Sequence, residues 1–205
     1  MGMLSASTSF SRFRVTEDVP KDLWAEIPDR LKRFSFRDID DGADERSWGW
    51  VCFDDMLDNH WRTAPPEKGG YFAFTLRLDT RRIAPAVFKK HLTIALAHEL
   101  QLAKQDGRKF LSKDRKKEIK EQVRLKLMAR TLPIPAIFET AWNIERNIVY
   151  MASTRSKVCD LFAEHFTLTF DLHLELLTPF TLGAHLLGKD YQNKLELVEA
   201  ERFIA

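Results

Sequence analysis

The most regular hydrophobic pattern in the chain is an alternation of apolar and polar residues between Tyr71 and Leu78, where Phe72, Phe74 and Leu76 occupy every second position. Successive side chains of a β-strand point to opposite faces, so this alternation predicts a strand with one buried face. Similar but less regular patterns predict further strands at residues 8–15, 48–53, 134–142, 147–152 and 170–177.

Apolar residues spaced by three or four positions predict helices between these strands. The predicted helices cover residues 20–31, 85–106, 112–130 and 153–166, and residues 188–205 are expected to form a terminal helix. Pro28 should end or kink the first helix, and Gly107 should break the second. Ser112 and Ser153 are expected to be the N-caps of the two helices that follow them.

The order of these elements predicts the fold class. From residue 112 onward the order is helix, strand, strand, helix, strand, which is typical of an α+β fold with antiparallel sheets and helices packed on one face. The length of 205 residues allows one large domain or two small ones. We therefore expect an α+β region at residues 1–187, either undivided or as two packed subdomains of about 1–105 and 106–187. A tail would follow at residues 188–205.

Composition narrows the class of protein. A hydrophobic fraction of 44% is typical of a globular chain and argues against disorder. No apolar run approaches the ~20 residues of a membrane-spanning helix, and the N-terminus lacks the pattern of a secretory signal. Cys52 and Cys159 form neither a disulfide framework nor a zinc pattern. We expect a cytoplasmic protein that interacts with no membrane and needs no metal or other cofactor.

The net charge of +2 conceals a strong asymmetry along the chain. Residues 104–130 contain eleven Lys or Arg and four Asp or Glu, a net charge of +7, so the rest of the chain carries −5. A protein with this polarity presents a positive field from one segment, and the segment includes a long predicted helix.

The helix expected after Ser112 carries a continuous row of cations at positions i, i+4, i+7 and i+11. The row consists of Lys113, Lys117, Lys120 and Arg124, with Lys116 at its edge. We expect it to lie roughly opposite the buried side of the helix, formed by Ile119, Val123 and Leu127. A rigid row of cations suits the phosphates of duplex DNA, because it neutralises charge without reading any base. A solvated surface helix with local Lys–Glu pairs is an equally good interpretation of the charge pattern alone.

Five ordered stretches of the sequence resemble the recombination-associated RdgC family. They are Gly49-Trp50-Val51, the segment YFAFTLRLDTRRIAPAVFKKHLTIALAHELQLAKQDGR, the segment KKEIKEQVRLKLMARTLP, the hairpin FETAWNIERNIVYMAST, and residues 153–179. The likeness covers roughly residues 8 to 180. The portion after about residue 185 is shorter than in family members and unlike theirs.

The resemblance implies an α+β protein that binds double-stranded DNA without sequence preference and is associated with recombination and replication. It also implies a homodimer that closes into a ring around DNA, competes indirectly with a recombinase, and locates to the nucleoid. Because the segment after about residue 185 departs from the family pattern, three alternatives remain: an open dimer, a differently closed ring and a monomer. The expected DNA-binding residues are Arg108, Lys109, Lys113, Lys116, Lys117, Lys120 and Arg124.

Other candidate chemistry is weaker. The pair His98-Glu99 lacks the second histidine of a zinc protease helix, because Leu102 occupies that position. Cys159 with His165 is better explained by packing within an amphipathic helix. We expect no catalytic residues, and two other functions stay open. The first is a metal-dependent DNA exonuclease using the acidic loop at residues 38–45, and the second is a protein-interaction module with a basic docking helix.

Overall fold

The computed structural model describes residues 2–42, 44–105, 107, 109–188 and 191–199. Its strands are β1 (Ser11–Val15), β2 (Arg46–Cys52), β3 (Glu67–Lys68), β4 (Tyr71–Thr80), β5 (Ile134–Asn143), β6 (Ile148–Met151) and β7 (Leu174–Leu176). Its helices are α1 (Leu23–Arg33), α2 (Pro85–Gln105), α3 (Lys113–Met128), α4 (Ser156–Phe170), α5 (Pro179–Leu187) and α6 (Gln192–Glu196). Within the described ranges, no helix is long and apolar enough to cross a membrane.

The strands form a seven-stranded antiparallel sheet in the order β2-β4-β5-β6-β1-β7, with β3 beside β4. The first strand of the chain therefore lies between β6 and β7, which come more than 130 residues later. Val149 of β6 is paired on both of its edges: it lies opposite Phe13 of β1 on one edge and opposite Trp142 of β5 on the other. The predicted α+β class is confirmed.

The chain divides into two compact units that are interleaved along the sequence. Unit 1 consists of residues 1–35, 50–76 and 138–205, and unit 2 consists of residues 36–49 and 77–137. The boundary expected near residue 105 lies inside unit 2, between α2 and α3. Strands β2, β4 and β5 each contribute residues to both units.

Unit 1 is built around aromatic side chains between its helices and its part of the sheet. The Trp142 ring contacts Trp24 of α1 at 4.9 Å and Phe166 of α4 at 5.1 Å, so both helices cover the same face of the sheet. Trp50 is fully buried, and its indole N–H donates to the Thr169 hydroxyl at 2.8 Å. This bond satisfies the polar atom that burial of a tryptophan would otherwise leave unpaired.

The structure bears on two expectations about helix ends. Of the two outcomes expected at Pro28, an end or a kink, the end does not occur. Helix α1 continues to Arg33, because Leu23, Ile27 and Leu31 bury one side of it and tertiary packing outweighs the lost backbone hydrogen bond. Ser153 is not an N-cap. The chain stays extended through Arg155, and the Ser153 hydroxyl accepts from the Arg155 backbone N–H at 3.3 Å before α4 begins.

The strand expected at residues 170–177 is also corrected. Helix α4 extends to Phe170, because Phe162, Phe166 and Phe170 repeat every four residues and are all buried. Asp171 then adopts a left-handed conformation with φ 60° that ends the helix, which leaves only residues 174–176 as a strand. Of the terminal helix expected at 188–205, the structure describes α6; residues 189–190 and 200–205 lie outside the described residues.

Unit 2 is dominated by α2 and α3, which pack against each other as a helical hairpin. The break predicted at Gly107 is confirmed: α2 ends at Gln105, and Gly107 has φ +78°, a backbone conformation that glycine adopts without strain. No residue of α2 is buried. The hairpin therefore offers solvent a large surface, and the predicted cation row lies on its second helix.

Candidate nucleic-acid interface

Helix α3 begins where the sequence predicts. The Ser112 hydroxyl accepts from the Arg115 backbone N–H at 3.2 Å and caps the first turn. Asp114 lies in the same turn, where a carboxylate interacts favourably with the positive end of the helix dipole. The N-cap role predicted for Ser112 is confirmed, and it fixes the start of the cation row one residue later.

The other end of α3 is anchored by Arg81, a buried side chain that the sequence analysis did not single out. The Arg81 guanidinium donates to the Met128 carbonyl at 3.0 Å, to the Asp40 carbonyl at 2.9 Å and to the Ile39 carbonyl. Only 2% of Arg81 is exposed. A cation at the C-terminus of a helix interacts favourably with the helix dipole, so Arg81 joins the acidic loop to the end of α3.

The cation row is exposed along its whole length. All five of its side chains are exposed to solvent: Lys113, Lys116, Lys117, Lys120 and Arg124. Among the described residues, no carboxylate lies within ion-pair distance of any of the four lysines. The lysine ammonium groups are therefore available to an external anion.

The row does not lie opposite the buried side of α3 as expected. Ile119 and Val123 are buried and Leu127 is half-buried. At about 100° per residue, the row is centred only a quarter of a turn from this side. The face opposite the buried side instead carries Asp114, Glu118, Glu121 and Leu125. The cations thus form a strip along the border of the packed face, with carboxylates on the outermost face.

The row ends at Arg124 for a structural reason. Met128, one turn further along nearly the same side of the helix, is buried. Arg124 itself donates to Glu45 of the acidic loop at 3.2 Å, with the Arg124 side chain 50% and the Glu45 side chain 61% exposed. One of the five cations is therefore shared with a carboxylate of the protein, through a solvent-exposed pair that is weak.

Arg115 belongs to α3 but not to the row. Its guanidinium donates to Glu99 of α2 at 2.7 Å and to Glu118 at 2.8 Å. The hydrogen bond from Arg115 is the main cause that lowers the pKa of Glu99. This pair connects the two helices of the hairpin and leaves the lysines of the row outside the internal ion-pair network.

The remaining predicted site residues precede the helix. Lys109 is exposed and lies between α2 and α3, and Arg108 lies outside the described residues. Lys116 is exposed at the edge of the row nearer to the buried side, where it lines a shallow groove with Leu96, Leu100 and Phe110. The structure thus places Lys113, Lys117, Lys120 and Arg124 in one strip, with Lys116 beside it.

The acidic loop shows no sign of a metal centre in the part of the chain that the structure describes. Asp38, Asp40, Asp41, Asp44 and Glu45 are all exposed. No group of three or more His, Cys, Asp or Glu side chains among the described residues is arranged to hold a metal ion. Asp38 instead accepts from the Asp40 backbone N–H at 2.6 Å, which is a turn contact.

Cys159 and His165 are both buried in unit 1 and have different partners, the Cys159 sulfur lying 3.4 Å from the Ser11 hydroxyl. His165 lies with its ring centroid 4.7 Å from that of Trp50, and its Nε2 is 3.3 Å from the Phe34 carbonyl. Burial lowers the pKa of His165, against the opposing effect of the hydrogen bond to Phe34. The pair is part of the core, as the packing interpretation predicted.

No protein-family model matches the chain, and no curated protein sequence matches it. The resemblance to the recombination-associated RdgC family therefore stays a hypothesis based on the five stretches of sequence described above.

Proposed function

We propose that this protein binds double-stranded DNA without sequence preference, through the cation row on α3. The observation that carries the proposal is the row itself: lysines on one rigid, capped helix that are exposed and have no carboxylate partner among the described residues. Phosphate contacts of this kind fix the position of a protein on DNA and contain no sequence information.

The dimensions of the row suit a duplex. From Lys113 to Arg124 the helix rises roughly 16 Å at 1.5 Å per residue, and a duplex carries one phosphate charge per ~1.7 Å of its axis. The row therefore runs beside about ten phosphates and neutralises about four or five of them. Release of the corresponding counterions gives a slope of roughly −4 for log K against log salt.

The position of the row limits how DNA approaches. Because Asp114 and Glu121 lie on the outermost face of α3, a duplex that met this face directly would be repelled. The favourable approach is along the border strip, where Lys117 and Lys120 point to the side of the helix. This geometry provides electrostatic attraction to phosphates, which contains no sequence information.

The decisive experiment is charge reversal of the row. The variant Lys113→Glu/Lys117→Glu/Lys120→Glu/Arg124→Glu should lose binding to a labelled duplex in a fluorescence anisotropy titration. A matched control reverses four exposed cations of unit 1, namely Lys21, Lys32, Arg155 and Lys157, and so changes the net charge equally. Equal loss in both variants would indicate a nonspecific charge effect, and unchanged binding in the row variant would reject the site.

The family resemblance extends the proposal to dimerisation. A homodimer would present two rows to one duplex and roughly double the number of neutralised phosphates, which steepens the salt dependence. Sedimentation equilibrium checks this directly, because a dimer has twice the 23.9 kDa mass of the chain. A monomer mass under conditions where DNA binds would restrict the proposal to a single row.

The family resemblance also suggests where in the cell the protein binds DNA. A protein that covers duplex DNA without sequence preference locates with the nucleoid and limits access of a recombinase to DNA during recombination and replication. Imaging of a fluorescent fusion should show the wild-type signal over DNA, and the row variant should lose this localisation.

A further inference from the structure

A second feature of unit 2 is independent of the cation row. The α2–α3 hairpin forms a groove of about 400 Å³ on one side. Its floor is apolar and consists of Ile94, Ala95, Val123 and Leu127. Among the described residues, its rim carries only nitrogen-bearing side chains, namely His91, His98, Lys126 and Arg130, and no carboxylate lines it.

The groove is open to solvent and is preformed by two helices. Ile94 is 55% exposed, which is unusual for an isoleucine in the middle of a long helix. Among the described residues, neither Lys126 nor Arg130 forms an ion pair. An exposed apolar floor bordered by unpaired cations marks a binding surface rather than a packed interior.

The groove is distinct from the cation row, although the two are neighbours on α3. The α3 residues that line the groove, from Val123 to Arg130, are centred about 100° from the centre of the row, at 100° per residue. They lie in the C-terminal half of the helix, and the lining includes neither Lys113 nor Lys117.

We propose that this groove binds an acidic amphipathic helix of a partner protein. Such a helix inserts apolar side chains at positions i, i+3 or i+4, and i+7 into a hydrophobic groove, and here they would contact Ile94 and Leu127. Carboxylates on either side of that apolar stripe would then meet Lys126, Arg130 and the two histidines. The assignment rests on charge complementarity between this rim and an acidic partner.

Two other occupants fit less well. In a two-fold symmetric dimer each surface faces its own copy, so the groove of a second copy would bring Lys126 and Arg130 against the same cations. Duplex DNA offers phosphates to the rim but no apolar group to the floor, so the exposed Ile94 side chain would lose water without gaining a partner. An acidic amphipathic helix satisfies both the floor and the rim.

A synthetic peptide tests the proposal. The probe is a fluorescein-labelled amphipathic peptide of about 18 residues, which exceeds the ~12–15 residues below which isolated helices are only marginally populated. It carries leucine at i, i+3 and i+7 and glutamate at the flanking positions. The full-length protein should bind it saturably with a Kd on the order of 10–100 μM. A scrambled peptide of equal composition and a lysine version of the probe should bind at least about tenfold more weakly.

Protein variants locate the site. Lys126→Glu/Arg130→Glu should weaken peptide binding about tenfold or more, and Ile94→Ser about fivefold. The matched controls are Lys113→Glu/Lys117→Glu for charge and Leu125→Ser for an exposed apolar residue of α3 outside the groove. Both controls should leave peptide binding within about twofold of wild type. Circular dichroism confirms that each variant retains its helices.

Specific outcomes overturn the proposal. Absence of saturable binding by the wild-type protein would do so, as would equal binding of the scrambled peptide. If duplex DNA displaced the peptide and the groove variant lost DNA affinity as strongly as the row variant, the groove would belong to DNA. If the groove variant abolished self-association while no peptide bound, a second copy would be the occupant. Because the row and the groove are altered by different variants, failure of DNA binding leaves this test intact.

Discussion

The two units of the molecule are stabilised in different ways. Unit 1 buries large aromatic rings, with Trp50, Trp142, Phe162 and Phe166 all at 0% exposure. Unit 2 has a 21-residue helix without a single buried residue and instead buries charged groups, with Arg81 and Asp79 each at 2% exposure. The comparison indicates that unit 1 contains most of the hydrophobic core, whereas unit 2 combines a few buried apolar residues, among them Phe36, Ile119 and Met128, with polar anchors that hold a largely exposed helical hairpin.

A second polar anchor of unit 2 is the buried ion pair between Arg77 and Asp79. Arg77 donates to both carboxylate oxygens of Asp79, at 2.9 and 2.7 Å, and its guanidinium lies 4.1 Å from the centroid of the Phe36 ring. The hydrogen bond to Asp79 is the main cause that raises the pKa of Arg77. A unit held by a few directional contacts depends on each of them more than a unit held by many dispersed apolar contacts.

The largest expected effect comes from truncating the aromatic core of unit 1. Phe166→Ala should lower the free energy of unfolding by about 3–5 kcal/mol, because it leaves a cavity among packed rings. Leu125→Ala, at a side chain of α3 that is 61% exposed, should change stability by less than about 0.5 kcal/mol. Urea denaturation followed by tryptophan fluorescence measures both. Similar losses would contradict the division between a packed and an exposed unit.

The next largest effect is expected from the anchor of unit 2. Arg81→Met should destabilise the protein by roughly 1–3 kcal/mol, because the buried carbonyls of Met128 and Ile39 lose their donor. The adjacent Arg82 is exposed, so Arg82→Met provides a matched control with an expected change below about 0.5 kcal/mol. Hydrogen exchange should show faster exchange at the C-terminal turn of α3 in the Arg81 variant. Equal stability of the two variants would disprove the anchor.

A smaller effect concerns pH and is confined to unit 1. The pKa of buried His165 is lowered below its ordinary 6.5, so the unfolded chain binds a proton at a pH where the folded chain does not. Stability should therefore fall as pH drops below about 6.5. Urea denaturation at about pH 7.5 and 5.5 should show this loss in the wild type and a smaller loss in His165→Leu. The exposed His60, changed to Leu, should retain the wild-type dependence; a reduced dependence there would point to another group.

The smallest expected effect concerns the exposed ion pair between Glu45 and Arg124 in unit 2. Glu45→Gln removes the carboxylate partner of Arg124 and should raise affinity for duplex DNA about two- to fivefold, since exposed ion pairs contribute roughly 0.2–1 kcal/mol. Glu26→Gln, which removes the similar exposed pair with Arg30 in unit 1, should leave affinity unchanged. Anisotropy titrations at low salt measure both variants. An unchanged or lowered affinity in Glu45→Gln would show that Arg124 does not contact DNA.

The sequence predicted correctly those features that depend only on residues close to one another along the chain. The alternation in Tyr71–Leu78, the break at Gly107 and the cap at Ser112 each rest on one or a few neighbouring residues, and all three are confirmed. Helix α5 is absent from the sequence prediction, although Thr178 followed by Pro179 is a sequence signal of a helix start. Its capping box, formed by Thr178 and Thr181, lacks the Glu or Gln of the usual sequence pattern.

Features that depend on tertiary contacts could not be predicted in the same way. The alternation in β4 predicted one buried face, yet Thr75, Arg77 and Asp79 on the other face are buried as well, because neighbouring elements cover both sides. Arg81 carries no local signal, since its acceptors are 41 to 47 residues away in sequence. The cation row was found from its spacing, but its angle to the buried side required knowledge of which residues pack.

The interleaved path of the chain has a practical consequence for assigning functions to parts of the protein. Because unit 2 is drawn from two separate stretches, residues 36–49 and 77–137, no single cut of the polypeptide produces a fragment that is one unit alone. Deletion series and expressed halves would remove portions of both units at once. Functions of this protein therefore have to be mapped by substitution of individual side chains within the intact chain.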